Sequence, residues 1–320
     1  MLINFVALIV GMVLLIKGAD YLIKGAVALS KRLGVSELFI GLTVVAFGTS
    51  APELAVSIQA ALKGSGIAIG NVVGSNIANI ALILGTVSII KPLKISSSTF
   101  RYEIPFLILT SLAAGMLLLD GGSFLSRFDG IVLLCFFIIF LDYLCSMAKK
   151  DRKVLLDMER TEEIEQQSKI GSYLSLSILA TVGGLISIIY GGKLVIDNAV
   201  LIAKAAGVSE TLIGVTIVAL GTSLPELVAG ITATLKKKAD IAVGNVIGSN
   251  VFNILLILGI SACLNPIKAD RNLTQDNIFM IGTATILPIL AGRKKTLRRL
   301  GGIILLLLYF TYIYLGILAG

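Results

Sequence analysis

Two glutamates stand in the middle of long apolar runs, each inside the same short motif. Gly48 to Glu53 reads GTSAPE, and Gly221 to Glu226 reads GTSLPE. A carboxylate at bilayer depth costs about 2.5–3.5 kcal/mol on insertion scales, so it normally faces a bundle interior or a water-filled cavity. The same costly residue in two equivalent places argues for a pair acting together. The structural alternative is two protonated acids, each hydrogen-bonded between helices. Pro52 and Pro225 cannot donate a backbone hydrogen bond, and their rings clash with the preceding turn. Gly48 and Gly221 loosen that turn further. The carbonyls of Ala46 and Ala219, near the expected break, are therefore candidates to face a cavity. Such irregular backbone is tolerated only where protein or water covers it. Thr49 and Ser50 precede Glu53 by four and three residues, so on a continuing helix they share its face.

A second duplicated motif, GNVVGSNIAN (70–79) and GNVIGSNVFN (244–253), adds Ser75 with Asn79 and Ser249 with Asn253. Each pair is four apart on one helix face and supplies neutral oxygens. Asn71, Asn76, Asn245 and Asn250 are either further ligands or interhelical hydrogen-bonders. Gly70, Gly74, Gly244 and Gly248 have the spacing of close helix packing. Carboxylate, hydroxyl and carbonyl oxygens form a ligand set for hard cations. Two ionised glutamates match one divalent cation or two to three monovalent ones. Calcium suits a flexible oxygen shell better than magnesium does, and soft metals would want Cys or His. The expected ion is Ca2+, in competition with Na+ or protons.

These residues must be positioned by a membrane-embedded scaffold. The 320-residue chain is 56% hydrophobic and only 14% charged, against roughly 25% charged in soluble domains. That balance excludes cytosolic enzymes and nucleic-acid binders. The absence of His excludes His-based acid–base, haem and zinc chemistry. Cys135, Cys145 and Cys263 lack metal or disulfide spacing and are expected to be buried thiols. The apolar N-terminus has no basic n-region or clear cleavage site, which favours a retained first helix over a signal peptide.

Ten apolar segments can be counted, at 3–28, 38–62, 67–90, 104–119, 130–147, 172–201, 211–235, 241–263, 278–291 and 300–318. A charged linker, 148–169, separates a first unit (1–147) from a second (170–320). Assigned to alternate sides, 19 of the 27 Lys and Arg fall on the side of the linker and 5 on the other. The positive-inside rule makes the linker cytoplasmic and both termini extracytoplasmic. Gly41–Gln59 matches Gly214–Thr232 at 11 of 19 positions, and Ala68–Gly85 matches Ala242–Gly259 at 13 of 18. Five crossings per copy is an odd number, so the second copy enters from the opposite face. The expected fold is an all-α polytopic membrane protein of two inverted five-helix repeats, with a site at their interface. Asp20 and Lys24 align with Lys193 and Asp197. Each is expected to form a helix pair, structural in role, with gating the alternative.

On these motifs the chain resembles the calcium/cation antiporter superfamily, specifically its prokaryotic sodium/calcium exchangers, over nearly its full length. The resemblance implies alternating access, with helices one and six sliding across the other eight. It implies a central Ca2+ site on Glu53 and Glu226, helped by the carbonyls of Ala46 and Ala219. It places Na+ sites around that centre on Thr49, Ser50, Ser75, Thr222, Ser223 and Ser249. Proton-coupled members usually carry Asn-Ala where this chain has Thr-Ser, which favours sodium coupling. Asn79 and Asn253 stand where potassium-dependent members tend to place Asp. The implied activity is a cell-membrane Ca2+/Na+ antiporter. It is not an enzyme, and neither a cofactor, a nucleic-acid ligand nor an obligate protein partner is expected. The substrates are Ca2+ and Na+, and the surrounding partner is the lipid bilayer. A Ca2+/H+ antiporter is the alternative, because two close carboxylates can take protons in place of the cation. A cation channel with two selectivity glutamates is the more distant one.

Overall fold

The computed structural model describes residues 2–120, 124–159, 174–207, 221–269 and 273–319. The helices of twelve residues or more are α1 (Leu2–Leu33), α2 (Glu37–Thr49), α3 (Ala51–Leu62), α4 (Ile67–Ile90), α5 (Glu103–Asp120), α6 (Arg127–Glu159), α7 (Leu174–Ala205), α8 (Leu224–Leu235), α9 (Ala239–Leu264), α10 (Thr274–Ala291) and α11 (Arg299–Ala319). Among the described residues, seven helices are long and apolar enough to cross a membrane, or eight if the bent pair α2–α3 counts as one span. Most described helix bounds follow the hydropathy of the sequence closely; of the seventh apolar segment, 211–235, residues 211–220 lie outside the described ones and α8 begins at Leu224. The exception is α6, which continues into the charged stretch as far as Glu159; residues 160–169 lie outside the described ones.

The prolines decide the local shape of the motif segments. Pro52 sits in the first turn of α3, and Ser50 leaves helical geometry with φ −82° and ψ 5°. The axes of α2 and α3 consequently meet at 47°. Pro225 and Ser223 repeat the arrangement at the start of α8, where Ser223 has φ −88° and ψ 4°. A proline is well accommodated in a first helical turn, where its missing N–H has no helical partner to lose. Each motif therefore starts a helix, and Glu53 and Glu226 fall in the first turns of two 12-residue helices. A first turn also suits a carboxylate because the N-terminal end of a helix carries partial positive charge.

The centre of the bundle is α4 and α9, whose spanning windows are 72% and 83% buried. Both widen into π-helix over matching stretches, Ala78–Leu84 and Phe252–Leu258. Gly244 and Gly248 bring α9 against α2, where a methyl at Gly248 would stand 2.6 Å from the Leu42 carbonyl oxygen. Gly70 and Gly74 have no described residue within 4 Å of that position; the segment that corresponds to α2 in the second repeat falls in 208–220, outside the described residues. Two short antiparallel strand pairs join the halves at their loops, Leu93–Lys94 with Thr296–Leu297 and Phe124–Leu125 with Ile267–Lys268.

Against this centre lie α1 and α7, packed on one another along their length. Gly11 of α1 faces Gly191 of α7, and Gly18 faces Gly184, so the two helices run antiparallel. Backbones approach so closely that a methyl on Gly18 would be 2.9 Å from the Gly184 carbonyl oxygen. Gly11, Gly18 and Gly25 are seven apart, as are Gly184 and Gly191, which keeps a smooth stripe on one face of each helix.

Two expectations need correction. Cys135 and Cys145 are exposed on the outer face of the bundle and Cys263 is half-buried. An apolar segment need not be interior in a membrane protein, since lipid accepts an apolar side chain as readily as the core does. The reversed pair Lys193 and Asp197 forms no ion pair among the described residues; both side chains are exposed. Its counterpart does form, with Lys24 Nζ 2.8 Å from Asp20, and Lys236 from the loop after α8 joins the same carboxylate.

The glycine stripe yields a contrast. Gly184→Leu is expected to destabilise the α1–α7 contact by roughly 3 kcal/mol through overpacking. Gly183→Leu, one position off the stripe where no described residue lies within 4 Å, is expected to leave stability unchanged. Thermal unfolding of the two purified variants in detergent, followed by size-exclusion chromatography, checks this.

Candidate ion-binding site

Glu53 and Glu226 are each 1% exposed, and Ser50, three residues before Glu53, bonds to Glu226. Among the described residues no basic side chain pairs with either, so their burial requires another source of compensation, because an unpaired buried charge is strongly unfavourable. Among the described residues, Oε2 of each glutamate has no hydrogen-bond partner. Of the other buried oxygens in the same state, three belong to the duplicated motifs, Ser223 Oγ, Asn79 Oδ1 and Asn253 Oδ1, while others, such as Glu103 Oε2 and Ser261 Oγ, lie outside them. Buried polar groups are nearly always satisfied, so a concentration of orphaned oxygens points to a ligand that accepts electron pairs. No group of three or more Asp, Glu, Cys or His occurs among the described residues. Two carboxylates with neutral oxygens are thus the whole charged complement, which fits a hard cation and not a soft one.

The hydroxyls do not line up beside Glu53 as a continuing helix would place them, because the chain bends at Ser50. Ser50 Oγ instead reaches across to Glu226 and donates to Oε1 at 3.3 Å. Thr49 Oγ1 donates to Asn245 Oδ1 at 3.1 Å on α9. The Ala46 carbonyl is not released by the break. It still accepts from the Ser50 backbone N–H at 3.0 Å, with the hydroxyls of Thr49 and Ser249 each at 3.4 Å. The reason is position: the N–H that proline removes belongs to residue 52, two places beyond the one that serves Ala46. Ala219 lies outside the described residues. Thr222 is half-buried, while Ser223, Ser75 and Ser249 are buried.

The second motif is brought onto the first across the repeats. The π-helical turn of α4 that carries Asn79 packs on α8, the helix of Glu226. The corresponding turn of α9 with Asn253 packs on α3, the helix of Glu53. Four asparagines bridge α4 and α9. Asn76 Nδ2 donates to the Asn250 backbone carbonyl at 3.2 Å, and Asn250 Nδ2 donates to that of Asn76 at 3.4 Å. Asn79 Nδ2 donates to Asn250 Oδ1 at 2.9 Å, and Asn253 Nδ2 to Asn76 Oδ1 at 3.0 Å. Asn71 turns elsewhere, donating to Ser57 Oγ at 3.0 Å and to the Glu53 backbone carbonyl at 3.4 Å. Of the two roles open to the four extra asparagines, hydrogen bonding between helices is the one observed. The partnership of Thr49 with Asn245 and of Asn71 with Ser57 carries no sequence signal beyond the polarity of the residues.

Comparison with known proteins agrees with this architecture. A family model described as "Sodium/calcium exchanger protein" matches residues 3–145 and 176–318. "Inner membrane protein YrbG" of Escherichia coli is 37% identical over 92% of this chain and 90% of its own length. "Sodium/calcium exchanger MaX1" of Methanosarcina acetivorans is 33% identical over 97% of each chain. Among solved structures, the sodium-calcium exchanger NCX_Mj superposes with a TM-score of 0.82 at 31% identity, covering 98% of both chains.

The bond from Ser50 to Glu226 has a measurable consequence. A hydrogen bond to a charged group contributes about 1.5–3 kcal/mol, so Ser50→Ala is expected to weaken Ca2+ binding about tenfold or more. Isothermal titration calorimetry of the purified variant in Na+-free detergent solution checks it; unchanged affinity would remove Ser50 from the site.

Proposed function

The chain belongs to the sodium/calcium exchanger protein family, and on that premise we propose that it is a secondary antiporter moving Ca2+ outward against inward flow of Na+. The observation that carries this reading is the set of unpartnered buried oxygens on Glu53, Glu226, Asn79, Asn253 and Ser223. Ca2+ is held by Glu53 and Glu226, with Asn79 and Asn253 supplying neutral oxygens. Na+ uses the same carboxylates with Thr49, Ser50, Ser75, Thr222, Ser223 and Ser249; the Ala46 carbonyl joins the shell when the hydroxyls of Thr49 and Ser249 turn from it toward the ion, and the Ala219 carbonyl is its proposed counterpart.

Electrostatics makes such a site an exchanger. Two ionised carboxylates with no cation leave an uncompensated charge in a low-dielectric bundle, a state far costlier than either loaded form. Only a loaded cavity can then be closed off from both sides. One Ca2+ or several Na+ satisfy it, so the outgoing ion must be replaced before the site returns. The movement is a slide of α1 and α7 across the rest of the bundle, and their smooth glycine interface suits them to move as one body. The architecture proposed for this cycle is ten spans in two inverted repeats, 1–147 and 170–320. In it α8 and α10 join the spans already counted, and the 148–169 linker connects the repeats on the cytoplasmic side. Both termini are extracytoplasmic, in a cell (inner) membrane.

Uptake of 45Ca into proteoliposomes loaded with Na+, K+ or choline, with pH clamped, tests the proposal. Uptake from Na+-loaded vesicles alone is the expected result, and Glu53→Gln or Glu226→Gln is expected to abolish it. Uptake driven by a pH gradient and indifferent to Na+ would instead establish proton coupling. Passage of Ca2+ without any counter-ion would establish a channel.

A further inference from the structure

An asparagine side chain is nearly symmetrical in shape, but its two ends are opposite in charge preference: the carbonyl oxygen attracts a cation and the NH2 group repels it. An asparagine that serves a cation site therefore has to be held one way round. The quartet between α4 and α9 does this through a chain of bonds whose starting point cannot be reversed. The Asn76 backbone carbonyl only accepts, so Asn250 must turn its NH2 toward it, as it does at 3.4 Å. That leaves Asn250 Oδ1 facing Asn79, which can meet it only with its own NH2, at 2.9 Å. The Asn79 oxygen is thereby turned away, buried and without a partner among the described residues. The mirror chain runs from the Asn250 backbone carbonyl through Asn76 to Asn253, at 3.2 and 3.0 Å, and leaves Asn253 Oδ1 in the same state.

We propose that Asn76 and Asn250 are positioning residues of the cation site, each fixing the amide of an ion-facing asparagine on the other repeat: Asn76 fixes Asn253, and Asn250 fixes Asn79. The proposal rests on the reading of the cavity as a cation site. The two locks are separable. Removing the Asn76 side chain leaves its backbone carbonyl in place, so Asn250 and with it Asn79 stay oriented, and only Asn253 is released. Truncating Asn250 likewise releases only Asn79. Each lock acts on the cation through the orientation of an amide, so a carboxylate in place of the released amide makes the lock unnecessary, because a carboxylate presents oxygen whichever way it turns.

The experiment is a set of Ca2+ binding isotherms by calorimetry on full-length purified protein in Na+-free detergent solution. Asn76→Ala is expected to weaken binding by up to about tenfold, the upper end of what a hydrogen bond between neutral amides contributes. Introduced into an Asn253→Asp protein, the same substitution is expected to change affinity by less than about twofold, within the scatter of independent sites. Asn79→Asp is expected not to relieve Asn76→Ala. In the mirror set, Asn79→Asp relieves Asn250→Ala and Asn253→Asp does not. Equal losses in every background would show a packing role and overturn the proposal, as would relief by the wrong partner or no loss at all. Failure of both alanine variants to fold would overturn it too, since an orienting role leaves the packing intact. Glu53→Gln in the same assay separates the two levels: if it binds Ca2+ normally, the reading of the cavity itself fails, whatever the asparagines do.

Discussion

Two carboxylates buried in an apolar bundle, with no basic partner among the described residues, are the constraint around which the molecule is arranged. Their Coulomb repulsion and lost hydration both oppose the ionised state. The fold offsets this with dipoles instead of charges. Each glutamate stands in the first turn of a helix that a proline begins, where backbone N–H groups are free and the helix end is partly positive. Ser50 donates to Glu226 from the opposite repeat. What these groups leave unsatisfied is a cluster of oxygens, and a cation is the ligand that satisfies oxygens.

The same constraint separates the bundle into two mechanical parts. Around the glutamates, α2, α4 and α9 are tied by directional bonds, from Thr49 to Asn245 and among Asn76, Asn79, Asn250 and Asn253. Such bonds hold geometry to a few tenths of an ångström, which an ion shell needs. The α1–α7 pair is built in the opposite way. Its glycines bring two backbones together along their length, so the two helices pack as one unit. At its edge the carboxylate of Asp20 is shared by Lys24 and Lys236.

Much of the site was legible in the chain because the chain states it twice. A single glutamate in an apolar run invites many readings; Glu53 and Glu226 in matching GTSxPE contexts invite few. The neutral oxygens of Asn79 and Asn253 were legible for the same reason. The consequence of proline at Ala46 was not, because proline breaks a helix at a position set by which N–H is lost and where the chain re-enters helical geometry. The exposure of Cys135 and Cys145 was also hidden: hydropathy reports that a residue avoids water and cannot say whether lipid or protein replaces it. Nor was the unequal fate of the aligned pairs, where Asp20 meets Lys24 and Lys236 while Lys193 and Asp197 remain unpaired among the described residues. Two copies of one sequence can sit in different surroundings when the bundle holds a single conformation.

The sequence by itself determined the helices, the breaks before Glu53 and Glu226, and the oxygen chemistry of the motifs, because periodicity, proline and side-chain type act locally. Only the tertiary structure decided which residues meet. Ser50 serves the other repeat's glutamate, Thr49 finds Asn245, and four asparagines of alternating helices fix one another's amides. These pairings depend on the close approach of segments some 170 residues apart, and distance along a chain carries no record of the angle at which two helices cross.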